Sequence, residues 1–380
     1  MSLANKKKIA ILLITFGSGG AEKFISLILP KLIKDFNVNL VLFNENIHFD
    51  IPKDVNVIIL NSNLKLNFFK KIFLFPKLVF LYNRFLQQNN IEISLSLLTR
   101  PNLLNGLIKL FNKNIKVIIS ERCYPSIAYS SKSYRLKLYK FLIPKLYNKA
   151  DVLFSNSYEI NKDLNENFGV KLPMNVIYNP VLKKSFKTSP SSDAKSDYTL
   201  INVGSLYAIK NQSLLINALA NIKFNCKLYF VGDGVDMEKL KFKSKTSNLD
   251  SKINFVGKVK NVDDYLLKSD CFILTSNSEG FPNVLLEAMS VGLPVISTNC
   301  KSGPLEILNE NETIVIKKGE FYLAKYGILI NINDSIALAK AIEYFYDNKS
   351  ERDYYAKLAY DRSKDFNLER IYPQLKDILC

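Results

Sequence analysis

Short apolar runs separated by longer, amphipathic stretches set the rhythm of the chain. Ile9–Thr15, Val38–Phe43, Val57–Leu60, Ile93–Leu97, Val117–Ser120, Val152–Ser155 and Asn175–Tyr178 are rich in branched and aromatic residues and read as buried strands. Between them lie helix-length segments such as Ala21–Lys34 and Leu103–Phe111. Strand, helix, strand repetition predicts a mostly parallel sheet covered on both faces. A polar stretch, Lys187–Asp197, interrupts the pattern and reads as a linker. The alternation then resumes, with strands at Leu200–Val203, Leu228–Val231, Ile253–Val256, Phe272–Thr275 and Val295–Ser297 and a polar helical stretch from Ser335 to Leu379.

The expected fold class is therefore α/β, two Rossmann-like doubly wound domains facing across a cleft. They are assigned as an N-terminal domain of residues 1–187 and a C-terminal domain of 188–365, with a last helix, 366–380, packing back on the N-terminal domain. A length of 380 residues suits two domains. With 48% hydrophobic and 23% charged residues, only 14 Gly and 13 Pro, the chain is neither disordered nor fibrous.

The opening Lys6-Lys7-Lys8 and the apolar Ile9–Ile14 mimic a signal peptide. The run is too short and meets Gly17-Ser18-Gly19-Gly20, so it reads as a first strand. No apolar stretch of about 18 residues is free of charge, so no transmembrane helix is expected and any membrane contact is peripheral. The five cysteines, Cys123, Cys226, Cys271, Cys300 and Cys380, are far apart and form no Cys-x-x-Cys pair. This spacing argues against a disulfide framework or zinc site and for a reducing, cytosolic compartment.

Charge changes the picture. Residues 1–190 hold 28 basic and 11 acidic side chains, so the whole net charge of +17 sits in the first half. An anionic partner for that half follows. On a helical projection of Asn67–Gln88, Lys70, Lys77, Arg84 and Gln88 share one face, with Phe68, Ile72, Phe75, Val79, Tyr82 and Leu86 opposite. Pro76 should kink or split that helix. The pattern fits either a core-facing helix with solvated cations or an anionic membrane surface. Lys132–Lys149 adds six cations and no acid, interleaved with Tyr134, Tyr139, Phe141 and Tyr147. Neither segment carries a nucleic-acid recognition signature, and no nucleic-acid partner is expected.

Candidate chemistry falls at strand ends, where such sheets bind ligands. Gly17-Ser18-Gly19-Gly20-Ala21-Glu22 opens a helix after the first strand and is either an anion cradle or a tight turn, without the closing glycine of a dinucleotide fingerprint. Val203-Gly204-Ser205 ends the first strand of the second half, and Lys210-Asn211-Gln212 opens the next helix, where a cation is unfavourable unless an anion is bound. Gly232-Asp233-Gly234 is a similar strand-to-helix turn, equally a plain turn or a ligand contact. In Ser276-Asn277-Ser278-Glu279-Gly280-Phe281-Pro282-Asn283-Val284-Leu285-Leu286-Glu287, Glu279 lies at a strand end and Glu287 about two helical turns later, so both can border one ligand. Glu287 can accept two ribose hydroxyls, and the glycine turn leaves amides for a diphosphate.

The Glu279 to Glu287 stretch, followed by Gly292-Leu293-Pro294-Val295-Ile296 and Ser302-Gly303-Pro304-Leu305-Glu306-Ile307, resembles the retaining glycosyltransferases of family 4, which have the GT-B fold. Gly19-Gly20-Ala21-Glu22, Val203-Gly204 and Lys210-Asn211 match the same family in order. The resemblance implies a nucleotide-sugar donor held by the second domain. Lys210 would bind the diphosphate and Glu287 the ribose. Glu279 would bind the donor sugar and stabilise an oxocarbenium-like transition state. Gly204, Gly232, Gly234, Ser278, Gly280, Phe281, Asn283 and Val284 would complete the donor site.

It further implies same-face attack assisted by the leaving phosphate, with no resident cofactor and no metal. Two positions depart from the family: Ser205 stands where it commonly has arginine, and the sole histidine, His48, lies in a loop-like stretch. Ser120-Glu121-Arg122 stands near the family's histidine position instead. Gly19, Gly20, Glu121, Arg122 and the weaker Arg100 are therefore the acceptor candidates. Arg100-Pro101-Asn102 and Glu121-Arg122 with Pro125-Ser126 look most like bacterial enzymes that extend undecaprenyl-diphosphate-linked saccharides, some of which transfer N-acetylgalactosamine.

The implied activity is transfer of a hexose or N-acetylhexosamine from a UDP-sugar to a lipid-diphosphate-linked saccharide, on the cytosolic face of the membrane. A sugar-nucleotide epimerase of the same fold and a non-catalytic basic binding protein stay open beside it.

Overall fold

The structure is a computed structural model and describes residues 6–60, 68–130, 133–186 and 197–380. The chain divides into two compact units, one of residues up to Pro180 together with Leu368–Cys380, the other of Val181–Asn367. The crossing at Pro180 comes before the polar stretch that read as a linker. By Val181 the backbone is already bound into the second unit, its N–H bonding the Phe366 carbonyl at 2.8 Å. Residues 187–196 lie outside the described residues.

The first unit contains β1 (Lys8–Leu13), α1 (Gly20–Asp35), β2 (Asn37–Leu42), β3 (Asn56–Ile59), α2 (Phe68–Gln88), β4 (Ile93–Leu97) and α3 (Thr99–Phe111). It continues through β5 (Lys116–Glu121), α4 (Pro125–Ala128), α5 (Ser133–Tyr147), β6 (Val152–Ser155), α6 (Tyr158–Phe168) and β7 (Met174–Val176). The seven strands are parallel in the order β3-β2-β1-β4-β5-β6-β7. In β1, β2, β4 and β5 the Ile, Leu and Val side chains are buried toward both faces, whereas the edge strand β3 leaves Val57 and Ile59 exposed. Ile9, Ile11 and Leu40 join α1 on one side, while Ala10, Leu12, Val117 and Ile119 join α2, α3, α5 and α6 on the other.

The C-terminal helix, Leu368–Leu379, packs on the α1 side through Ile371, Leu375 and Leu379, each worth about 1.5–3 kcal/mol of burial. Tyr372 and Lys376 add hydrogen bonds of 2.6 and 2.8 Å to the Asp35 carboxylate. On the other face α3 and α5 meet so closely that a Cβ on Gly106 would lie 2.5 Å from the Leu146 carbonyl oxygen. Only glycine fits there.

The second unit holds β8 (Tyr198–Val203), α7 (Gln212–Leu219), β9 (Cys226–Val231), α8 (Met237–Thr246), β10 (Ile253–Gly257), α9 (Asp263–Leu266), β11 (Cys271–Leu274) and α10 (Asn283–Ser290). After these come β12 (Val295–Thr298), α11 (Pro304–Asn309), β13 (Phe321–Ala324), β14 (Gly327–Ile330), α12 (Ser335–Asp347) and α13 (Lys349–Ser363). Its sheet runs β10-β9-β8-β11-β12-β14-β13, parallel except for β13. The β13–β14 hairpin was not expected from sequence. Tyr322 and Leu323 on the edge strand β13 are exposed, and the buried β14 offers only three apolar residues after its glycine, a run too short to stand out.

Pro76 does not split α2, which runs unbroken from Phe68 to Gln88. Pro76 lies on the exposed side, where a carbonyl deprived of its amide partner can bond water. Both sheets reverse strand order once, between β1 and β4 and between β8 and β11. Loops diverge at those points and leave a crevice at the carboxyl ends of the strands.

Candidate active site

At the second unit's switch point, the loop after β8 ends in a short 3-10 turn, Ala208–Lys210, and the loop after β11 carries Glu279. The Lys210 ammonium reaches both carboxylate oxygens of Glu279, at 2.6 and 2.8 Å. Backbone bonds hold the two loops together: Asn277 N–H donates to the Ile209 carbonyl at 2.8 Å and Thr275 Oγ1 to the Lys210 carbonyl at 2.8 Å. Asn211, left-handed at φ 49°, places its amide on Asn277 and Asn333. The Lys210 side chain keeps 28% of its surface exposed, against 9% for Glu279, so the cation is the more accessible partner.

The glycines beside this pair divide into two kinds. A Cβ on Gly232 would lie 2.0 Å from the Gly204 carbonyl oxygen, and one on Gly234 2.3 Å from that of Leu206. These two let the loops after β8 and β9 run backbone to backbone. Gly204, at φ 154°, has nothing within 4 Å of the Cβ position and leaves open space over its backbone.

The turn after Glu279 is clamped from the loop after β12. Ser278 bridges Lys301, Glu279 N–H bonds the Lys301 carbonyl at 3.1 Å, and the Ser302 hydroxyl donates to the Gly280 carbonyl. Phe281 is buried and packs on Phe366, with ring centroids 5.6 Å apart, so its side chain is withheld from a ligand. Pro282 leads into α10, with Asn283 and Val284 in its first turn, half-buried. Leu285, Leu286, Ala288 and Met289 fix that helix in the core, and Glu287 is 8% exposed among them.

The first unit's candidates are arranged differently. Glu121 is fully buried at the end of β5 and accepts from Thr99 Oγ1 at 2.9 Å, Tyr147 OH at 2.7 Å, Cys123 Sγ at 3.3 Å and Arg122 N–H at 3.1 Å. Burial raises its pKa against those bonds. From it a chain of buried hydrogen bonds runs through Tyr147, Asn102, Ser96, Asn105 and Ser94 to Tyr82 on α2.

Arg122 is 6% exposed and its guanidinium stacks 3.7 Å over Phe24. Nε donates to Ser120 and Nη1 to Asn179, and burial pulls its pKa down to about 9. Arg122 Nη2 is buried as well, with no hydrogen-bond partner among the described residues. Glu121 and Arg122 are both buried at the end of β5, deeper than their sequence positions suggested. Arg100 is half-buried over Phe43 at 5.7 Å, its pKa lowered by burial. Gly19 and Gly20 begin α1, and the Glu22 carboxylate folds back over them so that a Cβ on Gly19 would meet it at 2.4 Å. Burial raises the Glu22 pKa. His48 is exposed in a loop.

On α2, Leu78, Tyr82 and Leu86 face the core, while Phe73, Lys77, Phe80 and Arg84 share the exposed face; the Lys70 side chain lies outside the described residues. Phe73 and Phe80 are 85% and 65% exposed, so the cationic face is also aromatic, which the sequence projection did not include. Tyr134, Lys137, Phe141 and Lys145 are likewise exposed on α5, with the Lys145 ammonium 3.7 Å over the Phe141 ring. Sequence reading also missed Ser276 and Thr298 as parts of the Glu279 site. A hydroxyl three residues before a strand-end glutamate was the available signal.

Residues 184–362 match the family described as glycosyl transferases group 1. The chain is 29% identical, over 96% of its length and 97% of the relative's, to the N-acetylgalactosamine-N,N'-diacetylbacillosaminyl-diphospho-undecaprenol 4-alpha-N-acetylgalactosaminyltransferase of Campylobacter jejuni. It is 30% identical, over 72% of its length and 74% of the relative's, to an uncharacterised glycosyltransferase of Methanocaldococcus jannaschii. Among solved structures, Anabaena Alr3699/HepE in complex with UDP is similar at a TM-score of 0.77 and 19% identity, covering 98% of this chain and 99% of that one. The fold is thus GT-B, and the chain is a glycosyltransferase that belongs to the group 1 glycosyl transferases.

Proposed function

We propose that the protein is a retaining enzyme that moves a hexose or N-acetylhexosamine, with N-acetylgalactosamine the first donor to try, from a UDP-sugar to a lipid-diphosphate-linked saccharide. The observation that carries the donor assignment is the Lys210–Glu279 pair beside the open backbone of Gly204, at a switch point. An accessible ammonium at a strand end suits a diphosphate, and the carboxylate it releases suits a sugar hydroxyl and a developing positive charge. Glu287 takes the ribose hydroxyls, and the backbone from Gly280 to Val284 faces the phosphates. In the transfer, the bond from the sugar's anomeric carbon to the UDP oxygen breaks. A bond from the acceptor hydroxyl forms on the same face, and the hydroxyl proton passes to the departing phosphate, leaving UDP. The reaction needs no second carboxylate as a base.

The acceptor class is supported by the Campylobacter relative, whose name specifies a diphospho-undecaprenol substrate. Arg100, Gly19 and Gly20 are the first-unit residues proposed for the acceptor. Exposed Phe73, Lys77, Phe80 and Arg84 on α2 and their counterparts on α5 support peripheral attachment to an anionic membrane surface, since aromatic side chains partition into the interface and cations meet its charge. No helix among the described residues is long and apolar enough to cross a membrane.

The test is UDP release from a panel of UDP-sugars, with and without a polyprenyl-diphosphate-linked saccharide. Acceptor-dependent release with one donor supports the proposal and names the sugar. A converted sugar nucleotide without acceptor would indicate an epimerase instead, and no turnover with any donor would contradict the reading.

A further inference from the structure

The Glu279 carboxylate has a second side-chain donor besides Lys210. Ser276, fully buried at the end of β11, gives its hydroxyl to Glu279 Oε1 at 2.5 Å. The Ser276 backbone is held from behind: Thr298 Oγ1 donates to its carbonyl at 2.6 Å, and Thr298 is itself fully buried. One turn further on, Ser302, left-handed at φ 69°, ties the Gly280 carbonyl, and Gly303 at φ 96° lies so close that a Cβ there would be 2.5 Å from Pro282 Cδ. The Glu279 turn is thus braced on both sides by the segment from Thr298 to Gly303.

The two donors to Glu279 differ in what a nucleotide does to them. Lys210 is partly exposed, and a diphosphate with two negative charges competes for its ammonium. Ser276 is inaccessible to any ligand and keeps its bond. We infer that Ser276 is a positioning residue: once the donor's diphosphate draws Lys210 away, the Ser276 hydroxyl holds Glu279 Oε1 and turns Oε2 toward the sugar. Without it the carboxylate would be free to rotate about its terminal torsion, and the transition-state contact would be lost more than the ground-state one. The role rests on the proposed glycosyl transfer.

Ser276→Ala removes the hydroxyl without stranding a buried donor, because Thr298 bonds the backbone carbonyl. The expected result is a kcat about tenfold lower, with UDP affinity by calorimetry and KM for the UDP-sugar within about twofold of wild type. Ser276→Thr, which restores a hydroxyl, should recover most of the loss. If the alanine variant loses its cooperative unfolding transition, Ser276→Cys, a near-isosteric weak donor, is read by the same three numbers. An unchanged kcat would overturn the positioning role, and so would a loss of UDP affinity equal to the loss of kcat, which would mark Ser276 as part of the turn's scaffold. A wild type inactive across the donor panel would overturn the transfer reading itself and this role with it. An active wild type with an unaffected variant would overturn only the positioning.

Discussion

The two units share the order of their first five strands and use its switch point in opposite ways. In the second unit the loops after β8 and β11 present a cation and a carboxylate that satisfy each other while one of them stays within reach of solvent. In the first unit the strand-end residues with the most suggestive chemistry, Glu121 and Arg122, are taken out of water and bonded to neighbours, Arg122 Nη2 excepted. A buried charge needs hydrogen bonds to remain, and Glu121 has four acceptor contacts while Arg122 lies against Phe24. The same kind of strand-end position is therefore partly open to solvent in one unit and closed in the other.

The largest effect expected is on chemistry. Glu279→Gln, which keeps an oxygen for Ser276 to donate to, should lower kcat by about a thousandfold, as loss of a transition-state charge contact does, while leaving the melting curve and UDP binding near wild type. Glu121→Ala should show the reverse. With Thr99, Tyr147 and Cys123 left without their acceptor, the first unit should lose about 3 kcal/mol in urea unfolding, with UDP affinity unaffected. A Glu121→Ala variant that is stable but inactive would break the comparison and return Glu121 to the site.

Lys210→Met should weaken UDP binding by about 2 kcal/mol, the scale of a charge-assisted bond, read by calorimetry. Lys77→Gln with Arg84→Gln should weaken binding to phosphatidylserine vesicles by about 1 kcal/mol per charge at low salt, and Phe80→Ala should weaken it further at any salt. Vesicle binding that ignores all three changes would assign α2 to an ordinary solvated helix.

The smallest effect concerns Glu22. Its native pKa is raised by burial above the unfolded value, so the stability linked to it is fully present below pH 4.5 and is lost as pH rises through the native pKa. Glu22→Gln should accordingly be more stable than wild type at pH 7, by about 0.5 kcal/mol, and the difference should vanish near pH 4. Thermal unfolding at the two pH values reads it.

Much of this was legible in the sequence because burial on both faces gives parallel strands an unmistakable apolar run. Ile9–Leu13 and Cys271–Leu274 could hardly be anything else. The β13–β14 hairpin escaped because a half-exposed edge strand carries no such run. In the site, Lys210 was legible as a cation at a helix start and Glu279 as a carboxylate at a strand end, although 69 residues separate them and only the fold shows that they bond. The burial of Glu121 and Arg122 was not legible, because sequence gives the chemical type of a residue and not its depth; Phe24, which covers Arg122, lies far away in the chain. Ser276 and Thr298 were passed over because hydroxyls are common at strand ends. Their importance comes from a carbonyl and a carboxylate contributed by the tertiary fold.

The central claim is that the Lys210–Glu279 pair is the resting form of a donor site. A crystal structure of the full chain with UDP tests it most directly. The account predicts a diphosphate oxygen within about 3.2 Å of Lys210 Nζ, with the ammonium parted from Glu279 and Ser276 still bonded to it. A bound UDP whose diphosphate lies elsewhere, with the Lys210–Glu279 pair intact, would contradict it.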